Sequence, residues 1–171
     1  HMLGHEGTGT VLSVGVGVTK VSVGDNVVLG WIKSSGLDAM GTQYIGPKGE
    51  TINAGGVTTF SRHSVVSENR VVKLPPNTPM DLAVLYGCAL PTGAGIVFNE
   101  IDLTTDSIVV VFGLGGIGLS ALVAAKTFGP RTLIGIDIEK SKLELGKQLG
   151  ATHVVNANNT NVLEAVLAIT G

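Results

Sequence analysis

One stretch, SIVVVFGLGGIGLSALVAAKTFGPRTLIGIDIEKSK from Ser107 to Lys142, leaves this chain few choices of fold. The β-branched run Ile108 to Val111 reads as a buried strand. It breaks into the turn Gly113, Leu114, Gly115, Gly116, Ile117 and Gly118, and a helical pattern follows through Leu119, Leu122, Val123 and Ala125. Gly129 and Pro130 stop that helix, the one by freeing the backbone and the other because it cannot continue it. A second apolar strand, Thr132 to Ile136, then delivers Asp137.

Each part of this pattern suits a dinucleotide. Gly113 permits a tight turn, Gly115 lets the backbone approach a pyrophosphate, and Gly118 lets the helix lie close to the sheet. Unpaired N–H groups and the dipole at the helix start favour a phosphate there. Asp137 falls about 20 residues past the glycines, where a carboxylate accepts hydrogen bonds from ribose hydroxyls. The same carboxylate would repel a 2′-phosphate, so the pattern favours NAD over NADP. Gly-rich turns alone are common; strand, turn, helix, second strand and acid in this order are specific.

The bulk numbers narrow the remaining classes. A chain of 171 residues, 44% hydrophobic, can bury a sizeable core in one domain or two small ones. A net charge of −2 gives no electrostatic case for nucleic acid or an anionic membrane. Gly, Ser, Thr or Asp interrupts every apolar run before it reaches bilayer length. The single cysteine, Cys88, rules out an intrachain disulfide and fits a cytoplasmic location. His1 and Met2 read as a remnant of cloning and carry no weight in the fold argument.

From Leu3 to about Lys73 the chain reads as β structure. Thr8 to Val14, Val21 to Val28 and Ser61 to Val72 are rich in Val and Thr and separated by turn signals, which predicts a small antiparallel barrel or curled sheet. Between Gly30 and Gly56 the pattern dissolves into a Gly-punctuated loop with a small hairpin. Pro75 and Pro76 mark a break, after which Thr78 reads as an N-cap with Pro79 at the first helical position. A second helical piece follows Pro91, Thr92 and Gly93 and ends near Phe98. Beyond the Gly-rich stretch, Glu139 to Leu149 reads as a helix stopped by Gly150, and His153 to Val155 as a third strand. Asn161 to Ile169 reads as a last helix with Asn161 and Glu164 at capping-box spacing. The order β-α-β-α-β-α describes the first half of a doubly wound parallel sheet.

Two residues outside this pattern can bind metal, His5 and Cys88, and taken singly each reads as an ordinary surface His or buried Cys. The motifs GHEGTGTVLSVGVGVTKVSVGDNVV, TTFSRHSVVSEN, YGCALPTGAG, VFGLGGIGLSA and GIDIEKSK, in this order over nearly the whole chain, resemble the medium-chain zinc-dependent alcohol dehydrogenases. The resemblance implies a partial GroES-like catalytic domain over residues 3–90 and the first half of a Rossmann NAD-binding domain, with its linking helix, over residues 91–171. It implies that His5 and Cys88 are ligands of a catalytic zinc, with Glu6 beside them. It makes Thr92 a contact of the nicotinamide and Lys142 a neighbour of the adenosine ribose, alongside Gly113, Leu114, Gly115, Gly116, Ile117, Gly118 and Asp137. A thiolate and an imidazole suit zinc, which as a Lewis acid stabilises an alkoxide while hydride leaves for the nicotinamide.

The chain departs from the family in three places. The remaining zinc ligand comes, in the family, from a segment before GHE, which leaves His5 and Cys88 as a first shell of two. The loop over residues 31–56 stands where many members carry a four-cysteine lobe, and having no Cys it holds no structural zinc. The second Rossmann half is missing, so the sequence reads as truncated, and the Ser107 to Phe112 strand is expected to be an open edge through which copies associate as a homo-oligomer. The remaining candidates take ordinary readings: His63 and His153 as exposed, Trp31 and Tyr44 as loop anchors.

The function expected is NAD-linked oxidation of a small alcohol to an aldehyde or ketone, with the fragment inactive by itself. The alternatives are a zinc-free medium-chain reductase of the quinone or enoyl type, and a non-catalytic nucleotide-binding module.

Overall fold

The computed structural model describes all 171 residues, which divide into two compact units, His1–Cys88 and Ala89–Gly171. The first holds a three-stranded antiparallel sheet in the order β1 (Gly7–Thr10), β2 (Asn26–Leu29), β5 (Val71–Lys73). A separate hairpin pairs β3 (Thr42–Ile45) with β4 (Thr51–Gly55), inside the loop where the sequence predicts one. Val21, Val27, Leu29, Val57 and Val71 form the core of this unit.

The strands here are much shorter than their Val-rich runs suggest. Thr8 to Val14 yields a strand only as far as Thr10, and Val21 to Val28 only from Asn26. Gly17 and Gly24 both take positive φ (82° and 92°), and the turns they form take Leu12 to Val23 out of the ladder, Val11 still bonding to Gly24 and Asp25. Of the run Ser61 to Val72 only the last two residues pair. Between them, side chains take the bonds a ladder would have used: Ser64 Oγ donates to the Thr58 carbonyl and Thr42 Oγ1 to that of Val65. Tyr44 does anchor its loop, its hydroxyl accepting the Val65 amide at 2.8 Å.

The helix after the proline pair also differs from expectation. Thr78 does not cap it, because its hydroxyl donates to the Pro75 carbonyl; Pro79 holds the N-cap position. Helix α1 is the single turn Met80–Ala83, continued by a 3₁₀ turn over Val84–Gly87.

The second unit opens with α2, Ala89–Glu100, which takes in Pro91, Thr92 and Gly93 instead of following them and runs past Phe98 to Glu100. Pro91 falls in its first turn, where a missing N–H costs nothing. Then follow β6 (Ile108–Phe112), α3 (Gly116–Lys126), β7 (Thr132–Asp137), α4 (Lys140–Leu149), β8 (His153–Asn156) and α5 (Val162–Thr170). The three strands are parallel in the order β6-β7-β8, in register from Ile108 opposite Thr132 to Asp137 opposite Asn156. This is the first half of a Rossmann-type sheet. Asn161 caps α5 through its side-chain oxygen, which accepts the Leu163 and Glu164 amides.

Strand β7 is apolar on both faces because both are covered. Leu133 packs with Leu114, Leu122 and Leu143 on one side, and Ile134 and Ile136 pack with Val155 and the inner face of α5 on the other. Strand β6 lies at the edge of the sheet, with Phe112 69% exposed. No single helix is long and apolar enough to cross a membrane.

Candidate functional site

In the second unit the glycine-rich turn is built around one apolar side chain. Leu114 is fully buried, and its methyl groups fill the room that side chains at Gly135 and Gly146 would otherwise take. Gly113, at φ 81°, makes the reversal out of β6. A Cβ on Gly118 would collide with the Gly113 carbonyl, so helix α3 can begin this close to the strand only with glycine there. Gly115 is different, since nothing lies within 4 Å of where its Cβ would be. The space beside it is open, as a backbone that must admit a pyrophosphate requires. Helix α3 starts at Gly116 with no side-chain cap, and Gly115, Gly116 and Ile117 are exposed.

Asp137 ends β7 directly beside this turn. Its Oδ2 accepts the Leu114 amide at 2.7 Å and its Oδ1 the Glu139 amide at 2.9 Å. The Glu139 and Leu114 amides, with a smaller contribution from the Lys142 charge, hold the carboxyl below its ordinary value against the opposing effect of burial. Each carboxylate oxygen keeps a further lone pair for a hydroxyl donor. Thr92 is half-buried on α2, next to Gly93. A Cβ on Gly93 would strike the Ile117 carbonyl, so α2 lies against the first turns of α3, and Ser120 Oγ fastens the pair by donating to the Leu90 carbonyl at 2.7 Å.

In the first unit, sheet register assembles the other candidate residues. Gly7 pairs with Leu29, so the residues just before β1 and just after β2 leave the sheet at the same rim. Those residues are His5 and Trp31. Gly87 packs so tightly on the Leu29 carbonyl that no side chain fits, and the Trp31 amide donates to the Gly87 carbonyl at 3.3 Å. Cys88 follows directly. His5, Trp31 and Cys88 accordingly line one cavity of about 460 Å³, with Ala54, Gly56 and Val57 as apolar wall. Glu6 is half-buried, its Cα near Gly87.

Trp31 is more than the loop anchor its place in the sequence suggests. Its ring stands edge-on to the His5 imidazole, with centroids 6.2 Å apart and planes at 82°. Arg70, which sequence reasoning passed over, sets its guanidinium over that ring at 5.7 Å and donates to the Trp31 carbonyl. Glu68 was also missed. Its carboxylate accepts the amides of Thr19, Lys20 and Leu37, each at 2.7 Å, joining three loops. A Glu beside an Asn carries no spacing signal that could have revealed this role.

The donor set fits zinc in kind, one imidazole and one thiol in a single cavity. In number it falls short of the three protein ligands a catalytic zinc takes, and no group of three or more His, Cys, Asp or Glu side chains gathers anywhere in the chain. The turn at Gly113–Gly118 fits a dinucleotide pyrophosphate, by the open space at Gly115 and the uncapped start of α3.

A small antiparallel β unit followed by half of a Rossmann sheet is the architecture of a medium-chain dehydrogenase. Residues 1–76 match the alcohol dehydrogenase GroES-like domain family and residues 116–171 the zinc-binding dehydrogenase family. The chain belongs to the medium-chain zinc-type alcohol dehydrogenase family. It is 35% identical to alcohol dehydrogenase class-3 of Pisum sativum, over 91% of this chain and 48% of that protein. Among solved structures, benzyl alcohol dehydrogenase from Acinetobacter calcoaceticus superposes with a TM-score of 0.79 at 34% identity, over 99% of this chain and 52% of that one. An alcohol dehydrogenase zinc-binding domain protein from Burkholderia ambifaria gives a TM-score of 0.78 at 32% identity, over 99% and 53%. The chain thus spans about half the length of the curated relatives it matches.

Proposed function

We propose that this chain carries the metal-side pocket and the adenosine-side half of the cofactor site of an NAD-linked zinc alcohol dehydrogenase acting on small alcohols and their aldehydes or ketones. The observation that carries the reading is His5 and Cys88 lining one cavity beside Trp31, in a chain whose other unit bears the Gly113–Gly118 turn and Asp137. Zinc, when bound, supplies Lewis acidity toward the alcohol oxygen, and NAD supplies the hydride acceptor.

The chain's own residues have separate tasks in this reading. His5 and Cys88 would supply two of the three protein ligands that a catalytic zinc takes. Glu6, the next residue along the chain, takes a supporting role at the metal site. The indole of Trp31 gives the alcohol an apolar, aromatic wall, which agrees in kind with a relative named for benzyl alcohol. The amides at the start of α3 receive the pyrophosphate, Asp137 and Lys142 the adenosine ribose, and Thr92 the nicotinamide. An ionised Asp137 favours NAD over NADP by repelling a 2′-phosphate. We read the enzyme as a cytoplasmic homo-oligomer, supported by the lone Cys88 and by the resemblance, and the isolated chain as inactive.

Zinc content and NADH fluorescence of the purified chain test this. Zinc bound together with NADH supports the reading. NADH without zinc reduces the chain to a nucleotide-binding module, and a chain that binds neither zinc nor NADH overturns the proposal.

A further inference from the structure

We propose that Arg70 is the positioning residue for Trp31, and that through the indole it sets the width of the pocket at His5 and Cys88. The inference rests on the reading of this cavity as the alcohol site, and the geometry of Arg70 carries it further.

Arg70 is itself firmly placed. It ends the 3₁₀ turn Glu68–Arg70, its amide donates to the Ser67 carbonyl at 2.9 Å, and its carbonyl accepts the Gly30 amide at 2.8 Å. The next residue, Val71, pairs with Leu29 in the sheet. The backbone of Arg70 is therefore locked beside the exit of β2, one residue from Trp31. Its side chain then holds Trp31 in two ways at once. The guanidinium lies over the indole and also donates to the Trp31 carbonyl, fixing ring and backbone together. A planar, delocalised cation with several N–H groups does both; an ammonium cannot stack in the same way. Gly56 makes room for it, since a Cβ there would come within 3.2 Å of Nη2.

The indole also makes an edge contact with His5, at 6.2 Å, and is 53% exposed. A ring so exposed has room to swing, and the arginine contact is what restrains it. If the restraint is removed, the ring moves relative to His5, and the aromatic wall of the pocket moves with it.

Trp31 is the only tryptophan in the chain, so it reports on itself. The test compares wild type, Arg70→Met and Arg70→Lys, all 171 residues long and checked for folding by circular dichroism. Proton NMR reads cross-relaxation between the Trp31 and His5 rings and the ring-current shift on the His5 protons, and fluorescence anisotropy reads the mobility of the indole. In wild type the cross-peaks and the shift are present. Arg70→Met loses both, with lowered anisotropy, and Arg70→Lys, which keeps the charge but not the planar stack, is intermediate. Wild-type signals in either folded variant overturn the proposal, and Arg70→Lys decides should Arg70→Met fail to fold. Adding zinc or benzyl alcohol to wild type tests the functional reading separately: if neither perturbs Trp31, the assignment of the pocket fails while the positioning by Arg70 stands.

Discussion

The Leu114 amide donates to the carboxylate of Asp137 at 2.7 Å, so the glycine-rich turn and the acidic end of β7 are one hydrogen-bonded unit. A residue read from sequence as a ligand for ribose also holds the shape of the glycine-rich turn. Asp137→Asn tests both roles together. The amide has one acceptor oxygen facing two backbone donors, and it lacks the charge. NADH affinity is expected to fall on the order of tenfold to a hundredfold, measured by fluorescence titration. The pH dependence has a definite sign. Because the folded carboxyl lies below its ordinary value of 3.8, its contribution to stability is complete above that value and is lost as pH falls through the lowered one. Asp137→Asn removes this part of the acid limb.

Gly118→Ala places a methyl group against the Gly113 carbonyl, where backbone rather than a flexible side chain must yield. We expect a loss of roughly 2–4 kcal/mol, read by urea unfolding of the second unit. Gly115→Ala, with nothing within 4 Å, is the control. It should leave stability nearly unchanged and weaken NADH binding, because the methyl group enters the space reserved for the pyrophosphate. A Gly115→Ala chain that binds NADH as wild type does would contradict the placement of the phosphates.

Glu68→Gln breaks the junction of three loops in the first unit. The Leu37, Lys20 and Thr19 amides, in that order of effect, lower the pKa of the Glu68 carboxyl from an ordinary 4.5. A glutamine oxygen can serve only some of these donors, and we expect Tm to drop by roughly 5–10 °C at neutral pH. Here too the wild-type contribution is whole above the ordinary carboxylate value and disappears as pH falls through the lowered one. The two Tm–pH curves should therefore converge in acid. Parallel curves would show that the charge plays no part.

How far the sequence could be read depended on whether a feature is local. The β-α-β order around Gly113–Gly118 was legible because strand, turn, helix and acid follow one another within a single stretch. The Val-rich runs of the first unit were misleading, because hydrophobic pattern marks burial and not pairing. Val21 is buried in the core yet belongs to no strand, since the turns at Gly17 and Gly24 set where the ladder begins. His5 and Cys88 lie far apart in the chain and only the family resemblance linked them. The register of Gly7 with Leu29 and the close packing of Gly87 supply the physical reason. Trp31 and Arg70 belong to no motif, and Glu68 lies in one without a role that its spacing could suggest, so their parts emerge only once the loops are placed.

Leu114 has one further consequence. Its side chain occupies the notch left by Gly135 and Gly146, so the turn above it is propped from below by the hydrophobic core. A turn supported in this way does not have to rigidify when an anion arrives, and little ordering entropy is lost on binding. On the proposed reading, affinity for a dinucleotide thus becomes partly a property of the protein interior: enlarging Gly135 or Gly146, neither of which faces solvent, is expected to alter the surface that the turn offers to an anion.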